Sequence, residues 1–198
     1  MKVAVMDYGL GNLHSLVKAL EIGATDVRVE SDARAAVSRD VLVLPGVGAF
    51  GAAAAAIAPA RERIVDAIND GLPCLGICLG MQLLCDASDE GPGGGLGVFS
   101  GRVTRLEATR VPHIGWNSLE QVDDPIFAAS ELTMAYFANG YVCRVNDQTD
   151  VVAWTTHEAD RFPAAVRRGR VLGVQFHPEK SSGAGVRFVR AALTALAQ

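Results

Sequence analysis

The sequence predicts an α/β fold: a mostly parallel central sheet flanked by helices, with additional antiparallel strands in the carboxyl-terminal half. Short apolar runs alternate with segments of helical hydrophobic spacing along residues 1–90. Such alternation is typical of parallel strands joined by right-handed crossovers. Strand-like segments separated by turns then follow one another from residue 98 to residue 174, which indicates antiparallel pairing.

Strands and helices alternate in the first half of the chain. The predicted strands are KVAVM (2–6), DVRVE (26–30), DVLVLPG (40–46) and PCLGI (73–77). The helices expected between and after them are LHSLVKALEIG (13–23), ARAAV (33–37), the alanine-rich segment after residue 51, RERIVDAINDG (61–71) and LGMQLLCDA (79–87). In the first helix, Leu13, Leu16 and Leu20 share one face, and Gly23 is a stop signal.

Shorter strands are expected in the second half. After a glycine-dense loop at 90–101, they are GRVTRLE (101–107), HIGWNSL (113–119), TMAYFA (133–138), VVAWTTH (151–157), AAVRR (164–168) and VLGVQF (171–176). We expect these strands to extend the same sheet and residues 185–197 to close the fold as an amphipathic helix. Residues 1–198 are predicted to form one domain, because this length suits a single sizeable core.

Composition argues against several functions. The 198 residues are 49% hydrophobic and 20% charged, as in ordinary globular proteins. A net charge of −4 argues against nucleic acid as the main partner, because no basic excess neutralises phosphates. The uncharged segment 41–60 contains prolines and glycines, so a strand, a turn and an alanine helix explain it better than a membrane span. Because no signal peptide is recognisable, we expect a cytoplasmic protein.

The four cysteines do not form a metal-binding or disulfide pattern. They lie outside any C-x-x-C pair, and no histidine stands at zinc-finger spacing from them, so neither a metal nor another cofactor is expected. A disulfide framework is not expected in the cytoplasm either. Cys74, Cys85 and Cys143 are interpreted as core residues, whereas Cys78 stands in the distinctive stretch GICLGMQLL.

Functional groups are expected where the parallel strands end, because ligands of open α/β sheets bind there. The turn DYGLGN after the first strand does not complete a dinucleotide fingerprint, since His14 replaces the third glycine. The loop LPGVGAFG (44–51) can present backbone N–H groups to an anion, although it lacks the ending of a nucleotide phosphate loop. A simple tight turn into a helix remains the alternative for this loop.

Cys78 lies at the predicted junction between the strand 73–77 and the following helix. Gly76 and Gly80 give the pattern G-x-C-x-G, which has the spacing of the hydrolase elbow, where small residues relieve a crowded turn. A thiol at a helix amino terminus is favoured as a thiolate, and the N–H of Leu79 would point toward a developing oxyanion. A buried structural cysteine is the competing interpretation.

A nucleophilic cysteine requires a base. His177 ends a predicted core strand in the stretch GVQFHPEKS, and Glu179 two residues later would face the same way in an extended segment and orient the ring. His113 could serve instead, although no carboxylate lies near it in the sequence. His14 and His157 are expected to be exposed.

Together these segments resemble the class I (triad) glutamine amidotransferases, on PGVGAFG, GICLGMQLL and GVQFHPEKS in this order. The stretches DYGLGNLHS and PHIGWN narrow the resemblance to the glutaminase subunits of imidazole glycerol phosphate synthase, over nearly the whole chain. The resemblance implies a flavodoxin-like glutaminase fold and a role in histidine biosynthesis. It also implies that Cys78 attacks glutamine to form a thioester and release ammonia, that His177 transfers the proton and that Glu179 orients His177.

The resemblance extends to further residues and to a partner. Backbone N–H groups of Val47 and Leu79 would stabilise the oxyanion. The positions that match glutamine contacts are Gly46, Gly48 and Gln82; those that match partner contacts are Asn12, Trp116 and Lys180. The implied partner is the cyclase subunit, a (β/α)8 barrel in a heterodimer, which uses the ammonia to make imidazole glycerol phosphate and the carboxamide ribotide. One departure is that Asn139 and Gly140 replace a histidine and a hydroxyl residue of the family pattern.

Three other functions remain open. The chain could feed ammonia to another acceptor, as in anthranilate or aminodeoxychorismate synthase. It could be a non-catalytic regulatory subunit, against which the presence of Cys78, His177 and Glu179 argues. It could also be a stand-alone cysteine hydrolase acting on another amide or ester.

Overall fold

A computed structural model describes residues 1–11, 13–24, 26–46 and 48–198, which contain twelve strands and seven α-helices. The strands are β1 (Lys2–Met6), β2 (Asp26–Glu30), β3 (Val41–Leu44), β4 (Cys74–Ile77), β5 (Ala87–Ser88), β6 (Gly101–Arg105), β7 (His113–Ser118), β8 (Met134–Asn139), β9 (Tyr141–Val145), β10 (Val151–His157), β11 (Asp160–Arg168) and β12 (Val171–Val174). The helices are α1 (His14–Glu21), α2 (Ala33–Val37), α3 (Phe50–Ile57), α4 (Arg61–Asn69), α5 (Leu79–Leu83), α6 (Pro125–Ser130) and α7 (Ser182–Leu196).

The central sheet has seven strands in the order β10-β11-β12-β4-β3-β1-β2. Strands β2, β1, β3, β4 and β12 pair in parallel, whereas β11 pairs antiparallel with both β12 and β10. Val3 and Val5 of β1 face α1, α6 and α7, whereas Ala4 and Met6 face α2, α3, α4 and α5. Burial of both faces explains why the parallel strands are continuous apolar runs. The predicted fold class is confirmed.

The expectation that all later strands join this sheet is wrong. Only β10, β11 and β12 do so, whereas β5, β6 and β9 form a second sheet and β7 and β8 a third. The sequence interpretation also missed β5, β9 and α6. Asp124 caps α6 by accepting a hydrogen bond from the N–H of Ile126, and Pro125 occupies the first turn. This Asp-Pro pair is a recognisable helix start signal.

The helix after β4 is shorter than predicted, because it ends at Leu83 rather than near residue 87. Carbonyl groups at its end and just after it accept hydrogen bonds from the glycine-dense loop instead of from a further helical turn. Leu83 O accepts from Leu96 N at 2.6 Å, and Cys85 O accepts from Gly97 N at 3.1 Å. Competition from these tertiary hydrogen bonds explains the early end, and a helix of five residues has little macrodipole to offer Cys78.

The β7–β8 sheet is joined to the segment that follows β12. The N–H of His177 donates to Tyr136 O at 2.8 Å, and the N–H of Tyr136 donates to Ser181 Oγ at 2.9 Å. Within the described ranges, every helix falls short of the length and apolarity that a membrane crossing requires. The uncharged segment 41–60 contains β3 and α3, as the sequence indicates.

Candidate active site

Cys78 forms a strained elbow at the carboxyl end of β4. Its φ is +48°, a value that a residue with a side chain rarely adopts. The N–H of Cys78 donates to Val174 O at 2.7 Å, which ties the elbow to the end of β12. The residue is 7% exposed. A strained strand-to-helix turn that presents one side chain is the geometry of a nucleophile elbow.

The glycines around Cys78 are required by close backbone contacts. A methyl group at Gly76 would lie 2.7 Å from Gly80 O, and one at Gly80 would overlap the carbonyl group of Leu44. Gly46 fits against the elbow, because a methyl group there would lie 2.8 Å from Cys78 Cβ and 3.1 Å from His177 Cε1. The glycines flanking Cys78 therefore let α5, β4 and the end of β3 approach one another closely.

His177 and Glu179 are paired beside this elbow. His177 Nδ1 and Glu179 Oε1 are 2.8 Å apart, and both side chains are buried. The predicted pairing occurs, but a 3₁₀ turn at Pro178–Lys180 brings Glu179 to the ring rather than a fully extended segment. Glu179 Oε2 is buried and has no hydrogen-bond partner among the residues that the structure describes.

The electrostatics of this pair favour a charged imidazole. Burial on its own lowers the pKa of His177, but hydrogen bonds to Cys78 and Glu179 outweigh burial and raise the pKa from the ordinary 6.5 to about 10. Charged His177 therefore stabilises the folded state most below about pH 6.5, and this contribution is lost as the pH rises through about 10. At neutral pH the ring of His177 therefore carries its proton.

Replacing Glu179 by glutamine should lower the pKa of His177, because the carboxylate hydrogen bond is lost. The difference in free energy of unfolding between the wild type and Glu179→Gln should then be largest near pH 6.5 and narrow toward pH 10. Urea unfolding at several pH values measures this difference. Glu131→Gln, which alters an exposed ion pair with Arg187, is the control and should show no such trend. A constant difference for Glu179→Gln would contradict the assignment.

The structure describes only some of the residues predicted to contact the oxyanion, the substrate or the partner. Val47 and Asn12 lie outside the described residues. Leu79 is the first residue of α5, where backbone N–H groups have no acceptor within the helix. Gly48 has φ of +99° and lies directly under Leu10, so the loop after β3 requires glycine there. Of these positions, Leu79 directly follows Cys78 in the elbow, whereas Gly48 packs against Leu10.

Gln82 lies in α5, and its side chain is almost fully buried. Its Nε2 donates to Tyr141 O at 3.0 Å and to Gln175 Oε1 at 3.2 Å. Gln175 in turn donates from Nε2 to Cys78 Sγ at 3.5 Å. Sequence reasoning missed Gln175, although a polar residue between Val174 and Phe176 in a core segment was a usable signal, since buried amides need partners.

A cavity opens beside the triad residues. Its volume is about 230 Å³, and Pro45, Gly46, His177, Glu179 and Lys180 line it together with the start of α1. A larger cavity of about 550 Å³ lies between α6 and α7. Of the predicted site residues that the structure describes, none lines this second cavity. The smaller cavity is therefore the one associated with the chemistry.

The other candidate groups lie elsewhere. His113 stacks between Phe137 and His157, with ring centroids 5.1 and 4.2 Å away. Burial, with a smaller contribution from His157, lowers the pKa of His113 to about 4. His113 therefore belongs to the β7–β8 sheet rather than to the elbow. The remaining three cysteines, Cys74, Cys85 and Cys143, are free and buried, as predicted for core residues.

Two of the predicted partner residues meet close to the triad. Trp116 is 50% exposed and contacts Tyr136 edge to face, with ring centroids 6.3 Å apart. Lys180 Nζ lies 6.0 Å from the ring of Tyr136. Ile114 and Met134, in the same two-stranded sheet, are 64% and 48% exposed. The β7–β8 sheet thus presents a large apolar surface next to Lys180.

Comparison with known proteins finds similar sequences over nearly the whole chain. The family model of class-I glutamine amidotransferases matches residues 4–193. The imidazole glycerol phosphate synthase subunit HisH of Halobacterium salinarum is 42% identical over 95% of this chain and 90% of that protein. The HisH subunit of Thermococcus kodakarensis is 44% identical over 94% of this chain and 96% of that protein.

A solved structure supports the fold independently. The structure of PurLQS from Thermotoga maritima superposes with a TM-score of 0.76 at 20% identity, covering 98% of this chain and 97% of that one. A likeness at this identity concerns the fold alone. Taken with the sequence matches, it follows that the chain belongs to the class-I glutamine amidotransferase family and, within that family, to the HisH subunits of imidazole glycerol phosphate synthase.

Proposed function

We propose that this enzyme hydrolyses glutamine at Cys78 and supplies the ammonia to a cyclase subunit. One observation carries the catalytic part of this proposal: His177 is hydrogen-bonded to Glu179 and interacts with Cys78 at a strained elbow. A nucleophile, a base and a group that orients the base are the three parts that covalent amide hydrolysis requires.

The chemistry follows from the protonation of this pair. His177 takes the proton of the Cys78 thiol, so that the sulfur attacks the carboxamide carbon of glutamine as a thiolate. Backbone N–H groups of Leu79 and Val47 are proposed to hold the oxyanion, and Gly46, Gly48 and Gln82 to border the substrate. His177 gives its proton to the leaving nitrogen, ammonia departs and a thioester remains. Water, deprotonated by His177, then releases glutamate and regenerates the thiolate.

The acceptor of the ammonia is proposed to be a cyclase subunit with a (β/α)8 barrel, in a heterodimer with this chain. The HisH relatives are named as subunits of imidazole glycerol phosphate synthase, which supports a partner subunit. The exposed apolar side chains of Ile114, Trp116 and Met134, adjacent to Lys180, favour the β7–β8 sheet as the docking surface. Asn12 is proposed to lie at the same interface.

Replacing Trp116 by alanine should weaken the complex with the cyclase subunit by about tenfold to a hundredfold, because large aromatic residues dominate binding energies at interfaces. Isothermal titration of the cyclase subunit into each variant measures the Kd. Ile22→Ala removes another exposed apolar side chain, after α1, and is expected to leave the Kd unchanged. Equal binding by Trp116→Ala and the wild type would exclude this docking surface.

One experiment separates the main proposal from its alternatives. Glutamate release is measured for the purified chain with glutamine alone, with the cyclase subunit, and with the cyclase subunit plus its nucleotide substrate. We expect strong stimulation only when the cyclase subunit is present. Absence of stimulation in a complex that has demonstrably formed would contradict the proposal. Full activity without any partner would instead favour a stand-alone hydrolase.

Residues 1–198 are proposed to fold as one glutaminase domain, since both apolar cores pack on opposite faces of the same sheet. The reaction is proposed to take place in the cytoplasm, where four free cysteines are compatible with a reducing environment.

A further inference from the structure

A chain of buried amide groups leads from β9 to the sulfur of Cys78. Tyr141 O accepts a hydrogen bond from Gln82 Nε2, which also donates to Gln175 Oε1. Gln175 Nε2 completes the chain by donating to Cys78 Sγ. Gln175 is fully buried and Gln82 is 4% exposed. Buried amides that are hydrogen-bonded to one another hold a fixed orientation, because losing one partner leaves a buried polar atom unpaired.

The orientation of each amide is imposed from the Tyr141 end. A backbone carbonyl group can only accept, so Gln82 must present its NH₂ group to Tyr141. The second hydrogen of the same NH₂ group is then directed at Gln175, which must present its oxygen. Gln175 is thereby left with its NH₂ group facing the sulfur. The direction of donation along the chain is therefore a consequence of the fold and not a free choice.

A fixed N–H donor beside a sulfur atom stabilises the thiolate more than the thiol. A thiolate accepts hydrogen bonds more strongly than a thiol does, because bonds to charged groups are the stronger ones. His177 already contacts this sulfur, so Gln175 supplies a second donor. We infer that Gln175 is a positioning residue that aligns the sulfur of Cys78 and donates a hydrogen bond to it during attack, in an orientation set by Tyr141 through Gln82. This inference rests on the proposed role of Cys78.

Asn139 supports the same anchor. Its Nδ2 donates to Tyr141 O at 3.2 Å, so two buried side-chain amides converge on one carbonyl oxygen. Asn139 ends β8, and Gly140 next to it joins β8 to β9. Asn139 therefore supplies a second donor to Tyr141 O at the start of the amide chain.

The test is the pH dependence of alkylation of Cys78 by iodoacetamide, which needs neither glutamine nor the cyclase subunit. Gln175→Met preserves the length of the side chain and removes the donor. We expect the pH of half-maximal rate to move up by about one to two units, since a hydrogen bond to a charged group contributes tenfold to a hundredfold. Gln175→Glu should move it further, because an acceptor-only carboxylate then faces the sulfur. Peptide mapping confirms that Cys78 is the alkylated residue.

Two further variants complete the design. Gln148→Met removes a donor to Val145 O in the turn after β9 and should leave the profile unchanged. Gln82→Met keeps Gln175 but releases its orientation, and it should move the profile in the same direction by a smaller amount. If Gln175→Met does not fold, the pH profile of Gln82→Met tests the inference in its place. A profile that overlays the wild type in the folded Gln175 or Gln82 variants would overturn the inference, while glutaminase activity tests the proposed function separately.

Discussion

Replacing Cys78 by serine is expected to reduce glutamine hydrolysis at least about 10⁴-fold, since removing the nucleophile of a catalytic triad costs about 10⁶-fold. The substitution changes one atom, and a hydroxyl group is a far weaker nucleophile than a thiolate. Glutamate release in the complex with the cyclase subunit measures the effect. Thermal unfolding should be little altered, because the side chain is nearly isosteric.

Cys85→Ser is the matched control for this prediction. Cys85 is equally buried and free, and it lies shortly after α5 without flanking glycines. Its folded fraction should hydrolyse glutamine at close to the normal rate. Retained activity in Cys78→Ser together with its loss in Cys85→Ser would show that the nucleophile has been assigned wrongly.

A second large effect is expected on protein stability when a methyl group is added to the backbone next to the Cys78 elbow. Gly80→Ala should destabilise the protein by about 3 kcal/mol, at the upper end for overpacking. The added methyl group would overlap the carbonyl group of Leu44, and no side-chain rotation can relieve a clash with backbone. Urea unfolding measures the loss of stability, and displacement of α5 from β3 should also reduce activity in the molecules that remain folded.

Gly94→Ala is the comparison for this variant. A methyl group at Gly94 would meet only Asp86 O at an ordinary 3.8 Å, so its free energy of unfolding should change little. Equal stabilities of Gly80→Ala and Gly94→Ala would contradict the steric explanation for G-x-C-x-G.

The predictable part of the fold was the part in which local pattern and burial agree. Strands β1, β3 and β4 are buried on both faces of the sheet, and their continuous apolar runs predict them. Division of the later strands into three sheets was not predictable, because pairing of β7 with β8 occurs across an intervening helix, α6. The early end of α5 depends on hydrogen bonds from the glycine-dense loop, which no local propensity encodes.

The candidate site shows the same division. Cys78 was recognisable from the pattern G-x-C-x-G, and His177 and Glu179 from the short stretch F-H-P-E, because each signal spans only a few consecutive residues. The role of Gln175 depends on Tyr141 and Gln82, which come from other elements and meet it only in the folded chain. The 3₁₀ turn that brings Glu179 to His177 likewise follows from the tertiary position of the 177–181 segment.

Covalent labelling identifies the residue whose sulfur attacks glutamine. A chloroketone analogue of glutamine carries an electrophilic carbon in place of the carboxamide nitrogen and alkylates a thiolate that attacks the substrate carbonyl region. Incubation of the complex with this analogue, followed by peptide mass spectrometry, should place one label per chain on Cys78, and excess glutamine should prevent the labelling. A label on Cys74, Cys85 or Cys143, or a label on Cys78 that glutamine does not prevent, would contradict the account.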